Sequence, residues 1–222
     1  MVARDATAGM SAWRAMTTVA IDTPHGPAAA HLHPAGDPAG ALVLGHGAGG
    51  GVAAPDLVAA TAVALALGIS VALVEQPYRV AGRRSPSPAH QLDAAWAAVV
   101  EHLRAAELAG VPVVTGGRSS GARVACRTAA ATGAAGVLCL AFPLQPPARK
   151  TGTRAASRQG ELDAVAVPML VVQGEGDPFG MPDPEGRREV ARLRGNHSLR
   201  SDISGLKAAV EAWLRRTLLG AR

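Results

Sequence analysis

Val111-Pro-Val-Val-Thr-Gly-Gly-Arg-Ser-Ser-Gly-Ala-Arg-Val-Ala125 is the stretch on which the reading of this chain turns. Its β-branched start (Val111, Val113, Val114) predicts a buried strand, and the small-residue run from Gly121 predicts a helix. Gly117-Arg-Ser119-Ser-Gly121 is then G-x-S-x-G at a strand-to-helix turn. A serine on so sharp a turn needs small neighbours, because a Cβ at Gly117 or Gly121 would meet adjacent backbone. The turn exposes the Ser119 hydroxyl and aims the first free N–H groups of the helix at an oxyanion forming there. A chain rich in Gly and Ala can also produce the pattern by chance, as a turn that merely packs helix on sheet.

Working outward, Ala41-Leu-Val-Leu44 is a compact buried strand that runs into Gly45-His-Gly-Ala-Gly-Gly-Gly51. Glycines after a strand allow close backbone approach to an anion. No Lys-Ser/Thr pair follows, so this is not a Walker loop, and the glycine spacing is not a dinucleotide fingerprint. It suits an oxyanion loop, with the Ala48 N–H as donor and His46 as a structural residue ordering the loop. Pro55 to Gly68 predicts a helix ended by glycine, and Ile69 to Glu75 predicts the next strand. Gln76 to Pro88, with Arg79, Arg83 and Arg84, reads as a polar surface loop. Ala89 to Ala109 places Leu92, Trp96, Val99 and Leu103 on one helical face. Met16–Asp22 and Ala28–His33 alternate as an antiparallel hairpin at a sheet edge. His31 and His33 share a face there, with no carboxylate or cysteine at ligand spacing, and read as surface residues.

Beyond the serine turn, Gly136–Phe142 and Val165–Val172 predict two more buried strands. Arg188–Leu193 predicts the last strand and Leu206–Leu219 a closing amphipathic helix, while Pro143–Glu161 is a polar, basic connector. Strands alternating with helices predict an α/β fold with a largely parallel sheet. Reactive groups in such sheets gather at the carboxyl ends of the strands. Four ends here deliver the Gly45–Gly51 loop, Ser119, Asp177 and His197. A serine hydroxyl is a poor nucleophile until a base takes its proton. His197 is the candidate base, and Asp177 the candidate orienter of its imidazole. The N–H groups of Ser120 and Ala48 would hold the oxyanion, an effect worth roughly 3 kcal/mol per donor. Asp183 stands as a rival to Asp177; Glu175 lies inside the Gly174–Gly176 turn and is the weaker alternative.

The 222 residues suit a single domain over 1–222, with residues 1–14 expected to be loosely ordered. Aromatic residues make up only 3%, so the core must be built from Ala, Val and Leu. The net charge of +5 comes almost wholly from arginine, since Lys150 and Lys207 are the only lysines. These charges are scattered, without a recognised motif or interleaved aromatics, which argues against a nucleic-acid partner. Leu57 to Val74 is uncharged and long enough to span a bilayer. Gly68-Ile-Ser70 breaks it, and a buried helix feeding a buried strand explains it better, so no membrane partner is expected. Met1–Trp13 has no apolar core of a signal peptide. Cys126 and Cys139 stand in apolar runs and read as buried thiols. Together these point to the cytoplasm. No cofactor or metal is expected.

From Leu42 to Leu219 the chain resembles an α/β-hydrolase. More narrowly, Gly116-Gly-Arg-Ser-Ser-Gly-Ala-Arg123, Phe142-Pro-Leu144 and Gly195-Asn-His-Ser198 resemble a small branch of predicted hydrolases, the Tex/KANL type. That branch has bacterial members and eukaryotic relatives and is akin to the dienelactone hydrolases. The resemblance implies a mostly parallel central sheet with helices on both faces, an antiparallel N-terminal hairpin and little or no cap. It also implies a triad of Ser119, Asp177 and His197 in a cofactor-free serine hydrolase. The substrate would be a small-molecule carboxylic ester, lactone or thioester, cleaved through an acyl-enzyme; oligomeric state is left open. The alternative is a catalytically silent domain that binds or scaffolds, since fold alone does not establish turnover. One departure from the family stands out. Only Pro178 to Arg187 separates Asp177 from the last strand, so the helix usual there is reduced or lost. Arg118, beside the nucleophile, either pairs with an acidic group under the turn or meets an anionic substrate.

Overall fold

A computed structural model describes residues 16–146 and 155–220. The loose order expected of residues 1–14, and Arg149, Lys150 and Arg154 of the basic connector, lie outside the described residues. The strands are β1 (Thr17–Ile21), β2 (Ala28–His33), β3 (Ala41–Gly45), β4 (Ser70–Glu75), β5 (Val113–Arg118), β6 (Gly136–Leu140), β7 (Met169–Gly174) and β8 (Arg188–Leu193). They form one sheet in the order β1-β2-β4-β3-β5-β6-β7-β8. The β1–β2 and β2–β4 pairings are antiparallel, and the others are parallel. The N-terminal hairpin is therefore an antiparallel edge on an otherwise parallel sheet.

The helices are α1 (Pro55–Ala66), α2 (Pro77–Val80), α3 (Ala89–Ala105), α4 (Ser120–Thr128), α5 (Gln159–Asp163) and α6 (Ile203–Leu214). Alternate strand residues sort to opposite faces, as the two-residue period requires. Leu42 and Leu44 of β3, Leu138 and Leu140 of β6, and Leu170 and Val172 of β7 pack with Leu57 of α1 and Trp213 of α6. Ala41 and Val43 turn the other way, onto Trp96 and Val100 of α3. Val137 and Cys139 meet Ala122 and Cys126 of α4 on that same second side. Covering both faces is why these strands read as unbroken apolar runs.

Several bounds shift by a few residues, with β7 beginning at Met169 rather than Val165 and α3 ending at Ala105 rather than Ala109, and three segments differ in kind from the sequence reading. Gln76 to Pro88 does not begin as a surface loop: Gln76, Pro77 and Tyr78 are buried. Pro77 starts the short α2 at its first turn, where the missing N–H costs nothing, and Tyr78 joins the core beneath α3. Pro143 to Glu161 ends in α5, which buries Leu162. The closing helix passes into a π-helical turn over Arg215–Leu219.

Candidate active site

Ser119 follows β5 and precedes α4 with φ 52° and ψ −105°, a conformation in which side chains are strained. Its N–H donates to the Leu140 carbonyl (2.9 Å). A Cβ on Gly117 would stand 2.5 Å from the Gly45 carbonyl oxygen, and one on Gly121 would overlap the same atom. The turn thus rests directly on the end of β3, and only glycine permits that approach.

The Ser119 hydroxyl is 3.0 Å from His197 Nε2, and His197 Nδ1 is 2.8 Å from Asp177 Oδ2. A carboxylate only accepts, so Nδ1 carries the proton and Nε2 is left to accept from the serine. The Asp177 side chain is fully buried. Its Oδ1 accepts from the Phe179 N–H (2.9 Å), and its Oδ2 also accepts from Gln173 Nε2 (2.8 Å). Phe179 packs its ring on the imidazole, centroids 4.6 Å apart. Asp183 does not approach the imidazole in this network; its carbonyl accepts from Arg188 Nε (2.8 Å). Glu175 is exposed.

Sequence reasoning passed over Gln173. The two hydrogens of its Nε2 are shared among the Phe142 carbonyl (3.0 Å), Asp177 Oδ2 (2.8 Å) and the Gly180 carbonyl (2.9 Å), and its Oε1 accepts from the Phe142 N–H (2.8 Å). The available signal was a glutamine inside a wholly buried strand, where its amide must find partners. Across the short Pro178–Arg187 connector, the loops carrying Asp177 and His197 bind each other. The Glu175 N–H donates to Leu193 and the Gly176 N–H to Gly195, both at 2.8 Å.

The glycine-rich loop after β3, the candidate oxyanion loop, is built around His46. Its Nε2 accepts from the Gln76 N–H (3.2 Å), so its Nδ1 donates to the Gly47 carbonyl (2.8 Å). That carbonyl shares a planar peptide with the Ala48 N–H, and fixing one fixes the other. The Tyr78 hydroxyl donates to the Ala48 carbonyl (3.0 Å) and holds the next peptide. Ser120 heads α4, where an N–H has no carbonyl a turn behind it. Burial lowers the His46 pKa below its ordinary value and keeps the ring neutral. The unfolded chain then binds the proton more readily than the folded one. Stability from His46 is complete above about pH 6.5 and falls as the pH drops through the lower folded value. His46→Gln is expected to flatten the decline of the urea midpoint as the pH falls below about 6.5, relative to the unsubstituted protein. An unchanged slope would show that His46 titrates as it does in the unfolded chain.

Arg118 pairs with an acidic group under the turn. Its Nε lies 2.8 Å from Oδ2 of Asp56, a fully buried side chain in the first turn of α1. The contact is poorly aligned as a hydrogen bond and is chiefly Coulombic. Burial holds the Asp56 carboxyl above its ordinary pKa, and the Arg118 charge offsets only part of that rise. A cavity of about 510 Å³ opens beside these groups, lined by Gly47, Gly51, Arg118, Ser198 and Arg200 among others. Another of about 600 Å³, near Ala39, Leu67 and Leu219, lies where β3 and β4 begin and is remote from the chemistry.

The histidine pair on the hairpin needs one correction. Glu75 of β4 supplies His31 with the carboxylate that local spacing lacked (3.2 Å). Even so, among the described residues no group of three His, Cys, Asp or Glu could hold a metal ion. Cys126 and Cys139 are buried thiols with sulfurs 3.4 Å apart. The contact with Cys126, together with burial, holds the Cys139 thiol well above its ordinary pKa. Among the described residues no helix is long and apolar enough to cross a membrane.

Residues 38–201 match the family described as "Alpha/beta hydrolase domain". No curated protein matches the chain. Among solved structures, it is similar to XC6422 from Xanthomonas campestris, described as an a/b serine hydrolase without lid. The TM-score is 0.73 at 21% identity, over 93% of this chain and 97% of that one. Est1E from Butyrivibrio proteoclasticus gives 0.73 at 13% identity, over 91% and 99%. A dienelactone hydrolase from Anabaena variabilis gives 0.73 at 14%, over 92% and 98%. At these identities the likeness is one of fold.

Proposed function

The chain belongs to the α/β-hydrolase family, and from that premise we propose a serine hydrolase that cleaves a small carboxylic ester, lactone or thioester. The observation that carries the reading is the unbroken chain from Ser119 through His197 to buried Asp177, at 3.0 and 2.8 Å. Ser119 Oγ attacks the acyl carbon as His197 Nε2 takes its proton, and Asp177 stabilises the imidazolium. The N–H groups of Ala48 and Ser120 receive the oxyanion. Collapse returns the proton from His197 to the leaving alkoxide or thiolate and leaves the acyl group on Ser119. Water then attacks with His197 as base, releasing the acid and restoring the serine.

The family match supports a hydrolase, an ester or lactone substrate follows only by analogy with neighbours of the same fold, and the acyl group is left open. The reading describes a cofactor-free enzyme acting as one domain in a reducing cytoplasm, where Cys126 and Cys139 remain thiols. Treatment with a fluorophosphonate probe followed by intact-mass measurement tests it. One adduct is expected on the folded protein and none on Ser119→Ala. A folded protein that takes no adduct would turn the reading toward a silent binding domain.

A further inference from the structure

The acid and base form one mechanical unit, and the nucleophile belongs to another. Asp177 and His197 ride on loops joined by the Glu175–Leu193 and Gly176–Gly195 hydrogen bonds. At Gly174, a Cβ would come 2.5 Å from the Asn196 carbonyl oxygen, so these loops touch backbone to backbone. Ser119 instead sits on the turn seated against Gly45. Besides the reacting Ser119–His197 pair, one side-chain hydrogen bond among the described residues ties that turn to the His197 loop. It runs from Arg118 Nη2 to the His197 carbonyl, at 3.1 Å.

The same guanidinium reaches two further elements. Nε is held 2.8 Å from buried Asp56 in α1. Nη1 lies against the oxyanion loop, where a Cβ on Gly47 would come within 3.0 Å of it. A planar fork can meet three partners in fixed directions, which a single ammonium cannot. We infer that Arg118, seated on Asp56, is a positioning residue that sets the acid–base pair at its working distance from Ser119. Its polar contacts are with Asp56 and the His197 carbonyl, not with the reacting atoms. It acts through the backbone of His197.

This inference rests on reading Ser119 as the nucleophile. Removing Arg118 alone would strand a buried carboxylate and could unfold the protein. The decisive variant is therefore the neutral pair Asp56→Asn/Arg118→Met, with Arg118→Lys beside it. Lysine keeps the charge near Asp56 but cannot make both contacts. Each is assayed for kcat and KM on a p-nitrophenyl ester, for fluorophosphonate labelling rate and for melting temperature. In folded variants kcat and labelling rate are expected to fall about 10- to 100-fold, as small misplacements of catalytic groups do, with KM within about 3-fold. Wild-type kcat in the folded double variant would overturn the inference. If the double variant does not fold, Arg118→Lys decides, and full activity there would overturn it equally. A wild-type protein that takes no fluorophosphonate defeats the reading of Ser119 itself. A reactive wild type with an equally reactive double variant defeats only the role of Arg118.

Discussion

Ser119→Ala is expected to lower kcat by about five to six orders of magnitude, leaving the slow turnover that the oxyanion donors alone support. The same position should also reveal a conflict between stability and activity. Ser119 is held at φ 52°, a conformation that costs a non-glycine residue roughly 1–3 kcal/mol. Alanine keeps the Cβ and so keeps the strain, and its melting temperature should stay close to that of the unsubstituted protein. Glycine removes the strain at an entropic cost of about 0.5–1 kcal/mol. Ser119→Gly is therefore expected to be as inactive as alanine yet more stable by about 1 kcal/mol, a rise of roughly 2–4 °C at this size. Ester hydrolysis and calorimetry on the three proteins check both halves. A glycine variant that melts below the alanine variant would show that the serine turn is not strained.

What could be read in the sequence follows from which forces are local. Strands covered on both faces must be apolar throughout, so Ala41–Leu44 and Gly136–Leu140 announced themselves without any knowledge of their neighbours. The serine turn was legible for a related reason. Gly117 and Gly121 are demanded by one carbonyl, that of Gly45, and the demand leaves a fixed spacing in the chain. The Gln76–Pro88 segment misled because its composition is polar while its first three residues are held by tertiary contacts. Tyr78 is buried beneath α3 and hydrogen-bonded to Ala48, thirty positions away. Nothing local records either contact.

The support of the candidate site was less legible than its candidate reacting groups. A nucleophile, a base and an acid come from a small set of residue types at strand ends, and that choice is restrictive. Gln173 and Asp56 belong to no such set. Each acts by filling an otherwise unmet demand: an amide that four partners saturate, and a carboxylate that neutralises Arg118. Such demands exist only once the sheet has assembled. The sequence could pose the alternatives for Arg118, but choosing between them required the position of α1.

Asp177→Asn is expected to cost about four orders of magnitude in kcat, as tautomer loss does in a serine triad. Here the hydrogen-bond network says why. Oδ2 of Asp177 accepts from both His197 Nδ1 and Gln173 Nε2, and Oδ1 accepts from the Phe179 N–H. An asparagine has one acceptor oxygen for these two sides. With its oxygen toward Phe179, its NH₂ meets the Gln173 amide donor to donor. Gln173 cannot flip in answer, because its oxygen is held by the Phe142 N–H and its nitrogen by the Phe142 and Gly180 carbonyls. His197 would then present Nδ1 as an acceptor and carry its proton on Nε2, facing Ser119, where it cannot take the serine proton. With the oxygen toward His197 the tautomer survives, but a buried NH₂ faces the Phe179 N–H at a cost of about 1–3 kcal/mol. The imidazolium also loses its counter-charge. Both arrangements are slow, and neither disturbs the core. Kinetics on a p-nitrophenyl ester, with a urea titration to confirm folding, measure the outcome. A folded Asp177→Asn retaining activity within about tenfold of the original would remove Asp177 from the mechanism, for no tautomer of His197 in this network permits that rate without the carboxylate.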